Sequence, residues 1–140
     1  MAHWLVKSEP EVYGWDRMRA DRRTHWNGVR NHQAGNNMKA MALGDLAFFY
    51  HSNEGKEIVG VVEVVRTHHP DPSDETGKFG MVEVAARASL IKPVSLVTIK
   101  ADPALAGIAL VRQSRLSVMP IDDAHWRRVL ELAGGTTPVA

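Results

Sequence analysis

Apolar positions along this chain fall mostly into short runs with strand-like spacing, interrupted by a few stretches with helical spacing. AHWLVK alternates, with Trp4 and Val6 on one face, and predicts a first strand. Gly44-Asp45 marks a turn into LAFFYH, where Leu46, Phe48 and Tyr50 share a face. EIVGVVEVVR is too long and too rich in valine for a helix and predicts the central strand. HHPDPSDETGKFG is a polar connection punctuated by proline and glycine. MVEVAARASLIKPVSLVTIK then supplies one or two further strands, with Pro93 expected to break the run.

Helical spacing is confined to three places. NNMKAMALG carries Met38, Met41 and Ala42 on one side, with Gly44 as a stop. DPALAG offers Asp102 as a cap and Pro103 at the first helical position. The last helix is the clearest: Asp122 caps it, Trp126, Val129, Leu130 and Ala133 form its apolar stripe, and Gly134 ends it. Trp126 is thereby assigned to the core. Short strands with helices inserted irregularly between them predict an α+β protein built on a small β-barrel of five or six strands with flanking short helices.

With 140 residues the chain fits one domain, expected over residues 1–134 with a C-terminal tail at 135–140. It has no cysteine, which excludes disulfides, thiolate metal sites and cysteine nucleophiles. Neither a signal-peptide pattern nor an apolar run of membrane-spanning length is present, so a cytoplasmic location without membrane contact is expected. No long apolar face is left over for self-association, and a monomer is expected. The net charge of +1 argues against a protein held on nucleic acid by bulk electrostatics. The charge is uneven, however, with Arg17, Arg19, Arg22, Arg23, Arg30 and Lys39 close together. These are either a solvated helix face paired with Asp16 and Asp21 or a local footprint for phosphates.

The candidate chemistry lies in polar clusters at element ends. Lys7-Ser8-Glu9-Pro10 follows the first strand, His51-Ser52-Asn53-Glu54-Gly55 the second, and Arg112 to Ser117 precede the final helix. Residues 26–37, WNGVRNHQAGNN, concentrate neutral donors and acceptors that suit the edge of a planar heteroaromatic ring. Trp26 and Tyr50 could supply a stacking surface, and Arg30, Arg112 or Arg115 could hold phosphate. The competing structural account is that Asn31, Gln33 and Asn37 merely cap a helix and satisfy a buried turn. Enzymatic signatures are thin: there is no nucleophile elbow, P-loop, dinucleotide glycine motif or zincin motif. Glu9 is the one carboxylate placed in the polar set. A metal site at His68, His69 and Asp71 is disfavoured, and no cofactor is expected.

WLVKSEP, WNGVRNHQAGNN, GDLAFFYHSN, IVGVVEVV, the HPDPS turn and LVRQSRLSVMPI occur in one order from about residue 3 to residue 130. In this the chain resembles the EVE domain family of the PUA-like superfamily, related to the YTH readers of methylated RNA. The resemblance implies a PUA-like barrel without catalysis and a pocket for a modified nucleobase, such as methylated or hydroxymethylated cytosine, flipped out of DNA or RNA. Carried over by position, it implies base contacts from Lys7, Ser8, Trp26, Gly28, Val29, Arg30, Asn31, Gln33, Asn36, Tyr50, His51, Ser52, Asn53 and Leu116. Phosphate contacts fall to Arg30, Arg112 and Arg115. The chain departs from the commoner pattern at Asn27, His32, Gly35 and Lys78-Phe79-Gly80, where an acidic residue, Tyr, Arg and Arg-Trp are usual. Two other readings compete: a binder of a free small molecule or nucleoside, and a small nucleotide or RNA hydrolase using Glu9 with Lys7 or His51.

Overall fold

The computed structural model describes residues 2–139. The chain opens with β1 (His3–Ser8), followed by two short helices, α1 (Pro10–Tyr13) and α2 (Trp15–Asp21), then β2 (Arg23–Trp26) and α3 (His32–Ala40). An antiparallel meander of β3 (Leu46–His51), β4 (Glu57–Pro70) and β5 (Gly80–Ser95) comes next. Then α4 (Leu96–Ala101), a 3-10 turn (Pro103–Leu105) and α5 (Ala109–Arg112) lead to β6 (Val118–Ile121), α6 (Asp123–Ala133) and β7 (Thr136–Pro138).

The strands form one sheet in the order β2-β5-β4-β3-β1-β6, with β7 added to β5. Only β1 and β3 run parallel. The α+β class is as expected, but the barrel is corrected in two respects. Seven strands take part rather than five or six, and no pairing joins β2 to β6 among the described residues. Both end strands are only four residues long, and a polar cavity lies between them. Repeated register shifts between β4 and β5 bend the sheet, because each bulge kinks its strand and adds local twist. The two ends are thereby brought to one cavity without being hydrogen-bonded to each other.

Both faces of the inner strands are buried. Leu5 and Val6 of β1, and Phe48 and Phe49 of β3, are fully inaccessible, so the alternation read along AHWLVK and LAFFYH does not separate core from solvent here. Interior strands with covered faces lose that signature. Burying such a side chain contributes about 1.5–3 kcal/mol. Trp126 of α6 stacks on Phe48 with centroids 3.8 Å apart, and His3 stacks on its ring at 4.2 Å. Gly134, at φ 73°, accepts the left-handed turn that ends α6.

Three further expectations are corrected. β4 continues through His68, His69 and Pro70, so the polar connection starts at Asp71. Pro93 does not break β5: it lies between the pairs Gly60–Ser89 and Ile58–Val94, where the chain bulges and no ladder hydrogen bond is lost. SLVTIK is helical rather than extended, because the Ser95 side chain accepts from the Thr98 N–H as a cap and Ile99 turns into the core. Of the residues read as a tail, Thr136–Pro138 pair with Leu90, Ser89 and Ala88 as an edge strand; Ala140 lies outside the described residues.

Candidate functional site

A cavity of about 480 Å³ opens at the seam between the two ends of the sheet. This is within the size range of small-molecule sites, about 300–1,000 Å³. One wall comes from Lys7 and Ser8 at the end of β1 and from Ser117 just before β6. Val12 and Tyr13 of α1 form a second side, and β2 with the loop from Asn27 to Asn31 forms the third. Among the lining residues there is no carboxylate.

In the 27–31 loop Val29 alone packs into the core, so the geometry of its polar residues depends on a buried anchor. That anchor is Asp71, the first residue after β4. Its side chain is fully inaccessible and accepts from the Gly28 N–H at 2.9 Å, Arg30 Nη1 at 3.2 Å, and the Ser73 N–H and hydroxyl at 2.8 and 2.6 Å. Burial alone would raise its pKa, but these donors outweigh it and hold the carboxyl well below the usual range. Gly28 takes φ 76°, a turn that only glycine adopts cheaply, and no neighbouring atom fills the space a side chain would use. Arg30 is drawn into the same network, also donating to Ser73 Oγ at 3.0 Å and lying over the Phe79 ring at 5.7 Å.

The polar groups on the walls are fixed to differing degrees. Asn31 is the N-cap of α3, and its Oδ1 accepts from the Ala34 N–H at 2.9 Å. The Ser8 hydroxyl donates to the Tyr13 carbonyl at 2.6 Å. Lys7 Nζ donates to the Ser114 carbonyl at 2.7 Å and lies 5.9 Å over the Tyr50 ring. Partial burial lowers its pKa.

Of the residues assigned to base contact from the sequence, Lys7, Ser8, Trp26, Gly28, Val29, Arg30 and Asn31 meet on this cavity. Trp26 is largely a core residue, 8% exposed and edge-on to Phe49 at 5.6 Å. The others lie elsewhere. Gln33 is directed by the first turn of α3 to Gln113, donating at 2.7 Å, and lines a neighbouring cleft of about 350 Å³ together with Asn31, Arg115 and Leu116. Asn36 faces a notch of about 20 Å³ between α3 and the Lys78–Gly80 turn. Tyr50 and Leu116 are buried in the core. His51 accepts the Trp15 N–H at 3.0 Å, while Ser52 and Asn53 form the tight β3–β4 turn, where Asn53 donates to Glu11 at 2.9 Å.

The charged groups also sort themselves. Arg17 pairs with Asp21 and Arg19 with Asp16 along α2, which is the solvated-face account. Arg30 is committed to Asp71, and Arg112 donates to the Gly107 carbonyl at 3.1 Å. Of the three proposed phosphate ligands, Arg115 alone has no ion-pair or hydrogen-bond partner among the described residues. His68, His69 and Asp71 do not converge, since the carboxylate is turned to the loop. Asn37 does not cap α3; it donates to the Val118 carbonyl at 2.7 Å and docks the helix on β6.

Sequence reasoning did not single out Asp71 as the anchor of the loop, nor Val12, Tyr13, Thr24, His25, Asn27 and Ser117 as lining residues. Asp71 had one usable signal, an Asp between two prolines at the end of a strand. The lining residues of α1 and β2 had none, because PEVYGWDRMRADRRTHW carries no clear period.

A curled sheet flanked by short helices, with a polar, carboxylate-free cavity at its seam, defines a PUA-like domain. The EVE domain family matches residues 2–132, and the chain belongs to that family. Thymocyte nuclear protein 1 from Gallus gallus is 34% identical over 93% of this chain and 68% of its own length. A protein of Rhodopseudomonas palustris solved by NMR is 50% identical and superposes with a TM-score of 0.91 over 96% of this chain and 94% of that one. The crystal structure of human THYN1 protein in complex with 5-methylcytosine-containing DNA is 32% identical, with a TM-score of 0.86 over 95% of this chain and 98% of that one.

Proposed function

We propose that this EVE domain is a non-catalytic reader, taking a modified nucleobase such as methylated or hydroxymethylated cytosine, flipped from DNA or RNA, into the seam cavity. The observation that carries the reading is the cavity itself: about 480 Å³, free of carboxylates and walled by neutral hydrogen-bonding groups together with Lys7 and Arg30. The likeness to a human protein crystallised with 5-methylcytosine-containing DNA supports it. A non-catalytic role is supported by the position of Glu9, the carboxylate a hydrolase would need, which precedes α1 without a side-chain capping bond and does not line the cavity.

Extruding a base costs a few kcal/mol, and one added methyl is worth only about 1–3 kcal/mol, so weak to moderate affinity is expected. Titration with matched methylated and unmodified oligonucleotides tests the reading. Tighter binding of the methylated strand supports it, and equal binding removes it. The engagement of Arg30 and Arg112 within the protein favours one alternative, a binder of free nucleosides. That alternative predicts that the free modified nucleoside binds as tightly as the oligonucleotide.

A further inference from the structure

Two hydrogen-bonding groups on the cavity wall have their polarity fixed by the fold. The first is the Asn31 amide. Its capping partner is the Ala34 N–H, which can only donate, so the atom facing it at 2.9 Å must be the amide oxygen. The NH₂ group is left on the other side, and it donates to no group among the described residues. Turning the amide over would break the cap, so Asn31 offers donors alone. The second is the Ser8 hydroxyl. Its partner at 2.6 Å is the Tyr13 carbonyl, which can only accept, so the single hydroxyl proton is used there. Ser8 lines the cavity, and its Oγ has lone pairs alone left to offer.

Tyr13 is locked as well, its hydroxyl donating to Asp21 at 2.9 Å, and Arg30 has only donors, committed to Asp71 and Ser73; the remaining polar side chains are less constrained. The Ser117 hydroxyl rotates and the Asn27 amide can turn over. Such groups adapt to either edge of a base and discriminate little. Lys7 offers only donors, and every nucleobase has a carbonyl or ring nitrogen to receive one. Asn31 and Ser8 combine a fixed donor with a fixed acceptor, which is what discrimination between ring types needs.

We infer that Asn31 and Ser8 are the specificity-determining residues of the cavity, selecting a ring that presents a hydrogen-bond acceptor beside an exocyclic amine. Asn31 Nδ2 donates to the ring nitrogen, and Ser8 Oγ accepts from the amine. Cytosine and adenine rings carry this edge. The oxo-imino edge of thymine, uracil or guanine reverses both positions and would set acceptor against Ser8 and donor against Asn31. A site built to hydrogen-bond a group rejects an analogue that cannot, because its own buried groups are left unpaired.

This inference rests on the reader reading, and one experiment separates the two. Three oligonucleotides carry 5-methylcytosine, thymine or cytosine at one position in the same sequence. Thymine keeps the ring and the methyl of 5-methylcytosine and reverses only the edge. The wild-type protein should prefer 5-methylcytosine over thymine by about tenfold or more. Asn31→Asp keeps the capping oxygen and replaces the NH₂ by an acceptor, and Ser8→Ala removes the lone pairs. Because the introduced carboxylate also repels phosphates, the readout is the ratio of the two affinities, not either one alone. Each substitution should lower that ratio at least about fivefold, with thermal unfolding confirming the fold. A wild-type ratio near one, or a ratio unmoved by both substitutions, overturns the inference. If 5-methylcytosine and cytosine strands bind alike, the reader reading fails instead.

Discussion

Asp71, the first residue after β4, accepts the backbone N–H of Gly28 at 2.9 Å and so fixes the loop that walls the cavity from a strand end 43 residues away. The same carboxylate takes up Arg30 and Ser73. Burial of Val29 alone does not fix the amides and glycine of the loop, and a buried acceptor with several donors takes that role.

Removing that acceptor leaves the Gly28 N–H and two Ser73 donors without a partner, and Arg30 without its buried counter-charge. Asp71→Ala is expected to destabilise the domain by about 2–4 kcal/mol, measured by urea unfolding. Asp71→Asn should recover only part of this, because an amide has one accepting oxygen. The acid dependence follows from the depressed pKa of the carboxyl. The unfolded chain binds its proton first, so the contribution is complete at neutral pH and shrinks progressively below about pH 5. The stability gap between wild type and Asp71→Asn should therefore narrow as the pH is lowered.

His51 gives a second pH dependence in a different window. Its Nε2 accepts from the Trp15 N–H at 3.0 Å, so the ring is held neutral in the folded state. Burial lowers its pKa, partly offset by Glu57 and Asp16. The unfolded chain then binds more protons than the folded one as pH falls below the ordinary histidine value of about 6.5. Stability is lost on acidification through that range. In His51→Gln the slope of unfolding free energy with pH between about 5 and 7 should be shallower than in wild type.

Gly60 of β4 has no room for a side chain. A Cβ there would sit 2.2 Å from Cζ2 of Trp15, whose indole N–H donates to Ser89 Oγ at 2.9 Å. The backbone is ordinary, so the cost of Gly60→Ala is purely steric. Overpacking of this kind costs about 1–3 kcal/mol, and displacement of the indole should appear as a shift in tryptophan fluorescence.

The meander was legible because β3 and β4 carry long runs of aromatic and β-branched residues, and α6 because its cap, stripe and Gly134 agree. SLVTIK misled because β-branched residues favour strands only weakly, and one serine cap with one buried isoleucine reverses that preference. The cavity was half legible. Residues 26–31 announce themselves by composition, but the partner that fixes them, Asp71, is set by topology rather than by local pattern. Gln33 and Asn36 share the polar composition of Asn31, yet the helix they begin directs them to other surfaces. The His51–Asn53 turn follows a strand parallel to β1 but packs against α1 and α2 rather than opening onto the cavity.

The arginines near the cavity divide into one that holds the loop and one available to a strand's backbone. Arg30 is tied to buried Asp71, so Arg30→Ala should reduce thermal stability and weaken binding of free modified nucleoside and oligonucleotide alike. Arg115 lines the neighbouring cleft, which shares Asn31 with the cavity. Where it meets a phosphate, Arg115→Ala should leave stability and nucleoside binding unchanged and weaken oligonucleotide binding. Removing one phosphate interaction lowers the slope of log affinity against log salt by about 0.7 for a single strand and about 0.9 for a duplex. Oligonucleotide titrations of both variants at several salt concentrations check this. An unchanged slope for Arg115→Ala would exclude that residue from the phosphate-binding set.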